Sequence, residues 1–180
     1  MTVCHLHKFI GTTFFEISLI THKVVYIITI SQKTFLAIAT GQVERKHWRY
    51  LSRGVVRAGG GGALLSWGGT MFEYFMPNLL LPLTPGTLLG EGAMCAARAQ
   101  MNARGHRPFG VSESGYYAFD PELNYQYRAF GLPILARTNE TAGNVIAPYA
   151  SMLTLPFFPR AAAENLKYAV TTTYFKGKKI

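Results

Sequence analysis

The 180-residue sequence is poor in acid: nine aspartates and glutamates stand against eighteen lysines and arginines, a formal net charge of +9. Cysteine is scarcer still, with Cys4 and Cys95 alone. Two such distant cysteines give no disulfide framework, and a reduced compartment is the expectation. Long apolar runs are also missing. Glu16, His22, Lys23 and Lys33 interrupt the apolar N-terminal region, so no window of about 18 uncharged apolar residues is left and a spanning helix is not expected. Glu16 also falls where a secretory signal would have its apolar centre, with no small-residue cleavage site after it. What the sequence does have is apolar and aromatic bulk, 49% and 13% of residues respectively, which excludes a disordered chain. The length fits one domain, or part of a larger one.

The positive balance permits nucleic acid or an anionic membrane surface as partner. The basic residues are scattered and carry no binding motif, so a nucleic-acid partner is not expected. A metal is not expected either, because Cys4, His5 and His7 match no closed zinc spacing. Residues 14–20 and 24–30 are β-branched and aromatic, which predicts two weak strands. From Thr34 the pattern becomes helix-compatible and ends in the charged set Glu44, Arg45, Lys46, His47 and Arg49, a solvated end. The glycine run 59–62 lacks the Lys-Ser/Thr of a phosphate cradle and is expected to be a flexible loop beside a cleft.

Thr70 opens a short helix, with Met71, Phe72, Phe75, Met76, Leu79 and Leu80 spaced three and four apart and Pro77 kinking or ending it. Glu73 and Tyr74 fall off the densest apolar stripe. Thr70 and Glu73 also form Thr-x-x-Glu, so Glu73 fits a capping box as well as it fits a catalytic carboxylate. Residues 87–104, rich in alanine, leucine and methionine and followed by Gly105, predict the clearest helix, with Glu91 on its solvated face. Residues 106–132 read as an aromatic loop holding Glu113, Asp120, Glu122 and Arg128. Residues 132–135 suggest a short extended segment, and 148–155 a helix. Pro159 starts a last helix through residue 168, ahead of a β-prone, basic tail at 171–180. The sequon Asn139-Glu140-Thr141 has no secretory signal to support it and is taken as chance.

Two carboxylates among aromatics and glycines, in an acid-poor chain, suit a sugar-handling cleft. One acid gives or takes a proton and the other serves as nucleophile or base. Flat sugar faces pack on aromatic rings, and their hydroxyls pair with polar side chains such as Asp120, Gln126 and Arg128.

Several ordered motifs carry a family resemblance: His47-Trp48; Ser-Trp-Gly-Gly-Thr-Met-Phe-Glu-Tyr-Phe-Met-Pro at 66–77; Gly-Val-Ser-Glu-Ser-Gly-Tyr at 110–116; Tyr-Gln-Tyr-Arg-Ala-Phe-Gly-Leu-Pro at 125–133; Ile-Ala-Pro-Tyr-Ala at 146–150; and Pro-Arg-Ala-Ala-Ala-Glu-Asn-Leu at 159–166. Together they resemble the glycoamylase-like domain of bacterial cyclic β-1,2-glucan synthases. The resemblance implies a mainly α fold, part of an (α/α) toroid of six hairpins, flanked by weakly β-prone ends. It divides the chain into a divergent segment 1–33, a domain fragment 34–166 and a basic tail 167–180. About 12 helices of roughly 11 residues, with loops of about 5, would need on the order of 190 residues. The matching part is shorter, hence a fragment. Phe157-Phe158 departs from the family's pattern, in which an acidic residue precedes Pro159.

Carried over by motif, the resemblance makes Glu113 the acid/base and Glu73 the nucleophile. Trp67, Tyr74, Tyr116, Asp120, Tyr125, Gln126 and Arg128 would line the sugar sites. It implies β-1,2-glucan as substrate, no cofactor, the remainder of a larger synthase polypeptide as partner, and inner-membrane association through that parent. The chain itself, without a spanning segment, is expected to be cytoplasmic. Two other readings remain: a glycan-binding fragment without catalysis, and a basic nucleic-acid or membrane-surface module.

Overall fold

The structure, a computed structural model, describes residues 26–51, 53–104, 108–115, 119–138 and 145–176, with the side chains of 26–32, 104 and 172–176 outside that description. Helix α1 spans Tyr26–Ala39 and is followed by a 3-10 helix Arg45–Tyr50. Strands β1 (Val55–Ala58) and β2 (Gly61–Leu64) form an antiparallel hairpin. A five-residue helix α2 (Met71–Phe75) runs into a 3-10 turn Met76–Leu79, and the long helix α3 covers Leu88–Arg104. A second antiparallel hairpin pairs β3 (Glu113–Gly115) with β4 (Tyr127–Ala129). A 3-10 turn Pro133–Leu135, the short helix α4 (Pro148–Met152) and the helix α5 (Pro159–Lys176) complete the order.

The first hairpin lies on α3 because both surfaces are built from small residues. Gly92, Ala93, Ala96 and Ala97 offer almost no side-chain bulk, and Ala63 and Leu64 of β2 are buried against this stretch. Gly59 makes the turn at φ +58°, and a Cβ there would lie 1.9 Å from the Cys95 carbonyl oxygen. No other residue fits that position. Met71 and Phe75 project from α2 into the same core and are fully buried, joined by Leu132, Leu135, Ala147 and Ala150. Phe75 meets Phe157 at a ring separation of 5.8 Å.

Two buried amides fix the segment that leads to β3. Gln100 of α3 bonds both the N–H and the carbonyl of Val111, each at 3.0 Å. Asn165 of α5 accepts from the Phe109 N–H at 2.8 Å and donates to the Phe109 carbonyl at 2.9 Å. Buried amides are tolerated only when paired, and here the pairing places a loop. Val111 also bridges to Ile146, and the Met71 N–H reaches the Val111 carbonyl.

The expected partial six-hairpin toroid is not what the described residues form. Among the described residues three α-helices exceed five residues, and two β-hairpins stand between them where helical hairpins would be required. The glycine run is the turn and start of β2, not a flexible loop, because its neighbours Val55–Ala58 pair with Gly61–Leu64. Residues 26–30 are helical despite their β-branched composition, and α5 continues to Lys176 through the tail expected to be β-prone. Local propensity is a weak prior, and Thr171 adapts by turning its hydroxyl back onto the Lys167 carbonyl at 3.0 Å. Helix α1 passes through position 33 and α5 through position 166 without a break. The first predicted strand, 14–20, and the Cys4, His5, His7 cluster lie outside the described residues, as does Asn139-Glu140-Thr141.

Pro77 ends α2, so Leu79 and Leu80 do not extend its stripe and both stand exposed. Tyr74 and Glu73, expected off the apolar face, are buried instead. In this five-residue helix, between α3 and the 109–112 segment, only Phe72 keeps partial exposure.

Candidate active site

Thr70 and Glu73 form the capping box that their spacing suggested: the Thr70 hydroxyl accepts from the Glu73 N–H at 3.1 Å, and the Thr70 N–H donates to Glu73 Oε2 at 3.0 Å. The carboxylate does more than cap. It accepts from Ser66 Oγ at 2.9 Å, from the Trp67 N–H at 3.0 Å, and from the Gly68 N–H through both oxygens. Every neighbour is a donor, and an ionised carboxylate, being acceptor-only, satisfies them all. The result is a closed loop at 66–70, tied on its far side where the Ser66 N–H reaches the Leu135 carbonyl and the Leu132 N–H reaches Gly69.

Glu113 is held differently. It begins β3, is 8% exposed, and faces Ala129 across the hairpin, which makes Tyr127 its diagonal neighbour on the same face. The Tyr127 hydroxyl donates to Glu113 Oε2, while Oε1 is buried with no hydrogen-bond partner among the described residues. Burial pushes the Glu113 pKa above the ordinary carboxylate range. The Tyr127 hydrogen bond opposes that shift and the nearby Glu73 charge adds to it. The two carboxylates therefore sense each other. Their proximity follows from the stitching of α2 onto the 111–112 backbone.

A polar circuit fixes the Glu113 main chain. The Phe72 N–H donates to Ser112 Oγ, the Ser112 and Tyr149 hydroxyls lie 3.0 Å apart, and the Tyr149 hydroxyl donates to the Glu113 carbonyl at 3.0 Å. Phe72 and Tyr149 meet edge to face. Burial and the acidic neighbour raise the pKa values of Tyr127 and Tyr149, so both remain donors at neutral pH. Tyr125 completes the cluster: a Cβ on Gly115 would fall 1.8 Å from its hydroxyl oxygen, so its ring lies directly over β3.

The other anticipated residues divide. Tyr125 is exposed over β3, Arg128 is exposed but pairs with Ser114 and so projects from the hairpin face opposite to that of Glu113, and Trp67 is partly exposed on the Glu73 loop. Tyr74 is in the core, its hydroxyl donating to the Leu64 carbonyl. Asp120 and Gln126 turn toward each other: Asp120 accepts from the Asn124 and Glu122 N–H groups, the Asn124 amide and the Gln126 amide, which hold its pKa low. They shape the 120–126 loop. Tyr116 lies outside the described residues. Tyr127, Tyr149, Ser112 and Ser66 were not anticipated, although all four stand inside quoted motifs. Only the hairpin register and the return of α4 reveal them.

A separate cleft of about 380 Å³ opens on the other side of α2, walled by Phe35, Trp48, Leu65, Leu81 and Leu89. It is apolar, reaches Ser66 and Glu73 at one edge, and does not include Glu113. Among the described residues no cluster of His, Cys, Asp or Glu could hold a metal ion, and no helix is long and apolar enough to cross a membrane.

Fold and site together define a small, largely helical unit with two β-hairpins, bearing a buried carboxyl beneath a group of phenols. No family model matches the sequence. The chain is 42% identical over 137 residues to the protein named cyclic beta-(1,2)-glucan synthase NdvB, from Rhizobium meliloti (strain 1021), a match covering 74% of this chain and 5% of that synthase. It is therefore related to that synthase, and spans about 5% of its length.

Proposed function

We propose that this chain is a glycoside-processing part of a cyclic β-1,2-glucan synthase, with Glu113 as the general acid/base acting on β-1,2-glucan. The relationship to NdvB supports the substrate class and the membership of a larger polypeptide. The observation that carries the chemistry is the Glu113 carboxyl, buried, shifted toward its protonated form, and left with one oxygen free of partners among the described residues. A glycosidic oxygen is a poor leaving group until it receives a proton, and a carboxyl with a raised pKa is the donor that holds one near neutral pH. Glu73 is the second carboxylate of the pair, and its charge adds to the burial that favours the protonated form of Glu113. The nucleophile role for Glu73 comes from the motif resemblance; taking it up would require the carboxylate to release the 66–70 loop.

In this reading Tyr125 and Trp67 supply the sugar contacts, and Arg128, paired with Ser114, faces away from Glu113. Whether the reaction is hydrolysis or chain transfer depends on which hydroxyl, that of water or of a sugar, reaches the anomeric carbon, since both outcomes use the same acids. Inner-membrane association belongs to the parent synthase in this reading.

The test is turnover of linear β-1,2-glucan by the 180-residue chain and its Glu113→Gln variant, followed by product-size analysis. General acid catalysis contributes on the order of 10²- to 10⁴-fold, so the variant should lose at least about a hundredfold in kcat while remaining folded. Turnover by Glu113→Gln at the parent rate would end the proposal.

A further inference from the structure

We propose that Tyr127 is the positioning residue for Glu113: its hydroxyl holds Oε2 and so fixes where the carboxyl that gives up and recovers the proton stands. The inference rests on the acid/base reading of Glu113 and adds to it a residue.

The two carboxyl oxygens are inequivalent. Oε2 receives the Tyr127 hydroxyl from β4, and Oε1 is buried without a partner among the described residues. A buried oxygen without a partner is costliest when it carries charge, and protonation of the carboxyl lowers that cost by removing the charge. Other groups facing Glu113 do not compete for this place. Tyr149, from α4, spends its hydroxyl on the Glu113 main-chain carbonyl and on Ser112. Glu73, from α2, is saturated by the Ser66–Thr70 donors and acts on Glu113 through its charge. Tyr125 lies over Gly115 and influences Tyr127, not the carboxyl directly.

In the step so defined, the carboxyl O–H bond of Glu113 breaks as the proton passes to the glycosidic oxygen, which leaves with the electron pair of its bond to the anomeric carbon. Glu113 becomes a carboxylate, stabilised at that moment by the Tyr127 O–H on Oε2. The oxygen of an incoming water or sugar hydroxyl forms the new bond to the anomeric carbon, and its proton returns to the Glu113 carboxylate. The Tyr127 bond is worth more to the carboxylate than to the neutral acid, so it favours proton departure. At 49% exposure, Tyr127 stands between the carboxyl and solvent, where an approaching sugar would meet it.

The experiment compares the wild-type 180-residue chain with Tyr127→Phe, Tyr149→Phe and Glu113→Gln. It reads kcat and KM against pH on linear β-1,2-glucan and, independently of turnover, the carbon-13 NMR titration of δ-labelled glutamate, with the Glu113 resonance assigned by its loss in Glu113→Gln. Tyr127→Phe keeps the ring and removes the hydroxyl. It is expected to lower kcat about tenfold, the weight of one hydrogen bond to a charged group, with KM changed less than about twofold. The alkaline limb of the rate profile and the Glu113 titration should both move to higher pH. Tyr149→Phe should lower kcat without moving that titration. An unmoved titration in Tyr127→Phe overturns the contact, and a moved titration with unchanged kcat overturns the positioning role. Parent-rate turnover by Glu113→Gln would instead sink the acid/base reading itself, a result separable from both.

Discussion

Removing the Glu73 carboxylate should undo the 66–70 loop, and the size of the effect follows from its partners. Glu73 is 4% exposed and receives three main-chain N–H groups and the Ser66 hydroxyl. In Glu73→Ala these donors lose their acceptor inside the protein. A buried donor left unpaired costs about 1 to 3 kcal/mol. The Ser66 hydroxyl can rotate and partly recover, whereas the main-chain groups of Trp67, Gly68 and Thr70 cannot. Three such losses at the low end, with the capping contribution included, give about 4 kcal/mol. That is a large part of the roughly 5 to 15 kcal/mol that holds a typical domain together. Glu73→Gln retains one carbonyl oxygen but sets an amide N–H₂ against donors, so about 2 kcal/mol is expected. Urea unfolding followed by circular dichroism reads both, and at about 2 kcal/mol per molar for the slope the alanine variant's midpoint falls by about 2 M. A midpoint within about 0.5 M of wild type for Glu73→Ala would refute the account of the loop. The same pair of variants addresses function: a residue that served only as nucleophile would lose turnover on Glu73→Gln with the midpoint unchanged.

Glu113 should behave in the opposite way. Its pKa is raised on folding, so its contribution is fully present below the ordinary glutamate range and is lost as pH rises through the higher folded value. Glu113→Gln, which stays neutral, should therefore melt higher than wild type at neutral pH and converge with it under acid conditions; a lower melting temperature at neutral pH would contradict the burial argument. The first hairpin offers a paired test at adjacent glycines. Gly59→Ala combines positive φ with a Cβ 1.9 Å from the Cys95 carbonyl oxygen and should abolish folding, while Gly60→Ala, with open space around it, should cost only the left-handed strain of about 1 to 2 kcal/mol, both read by thermal denaturation. Equal effects would mean that the turn does not press on α3.

The legible parts of this chain were those whose signals are local. Thr70 and Glu73 announce a cap by spacing alone, residues 87–104 announce a helix by composition, and Pro77 and Pro159 mark an end and a start. Glu113 was legible as an acid among aromatics. What was not legible depends on pairings distant in sequence. Gln100 and Asn165 look like ordinary polar residues on helices until Val111 and Phe109 are found between them. Tyr127 reaches Glu113 only through the β3–β4 register, and a three-residue strand carries too little alternation to predict. The glycine run concealed a hairpin because small residues there serve approach to α3, an interaction with no sequence period. The toroid expectation came from the motifs as a family pattern, and motif kinship does not specify how a chain of this length folds.

Seen energetically, the two glutamates have opposite relations to stability, and that contrast is the physical content of the proposed site. Glu73 is buried among donors that reward its charge, so it strengthens the fold. Glu113 is buried with half its carboxyl unanswered, a like charge nearby, and one phenol as compensation. A sequence selected for stability alone would place a neutral side chain there, as the expected behaviour of Glu113→Gln expresses. The stabilising acid also holds the destabilising one in place: the loop closed by Glu73 seats α2, the Phe72 N–H of α2 meets Ser112, and Ser112 precedes Glu113. Loosening the cap should therefore reach the acid through two hydrogen bonds. A Glu73→Gln chain that remains folded at low temperature should show its Glu113 titration displaced downward, because the charge that raises it is gone. A Glu113 titration that ignores Glu73→Gln would show that the two carboxylates do not share a site.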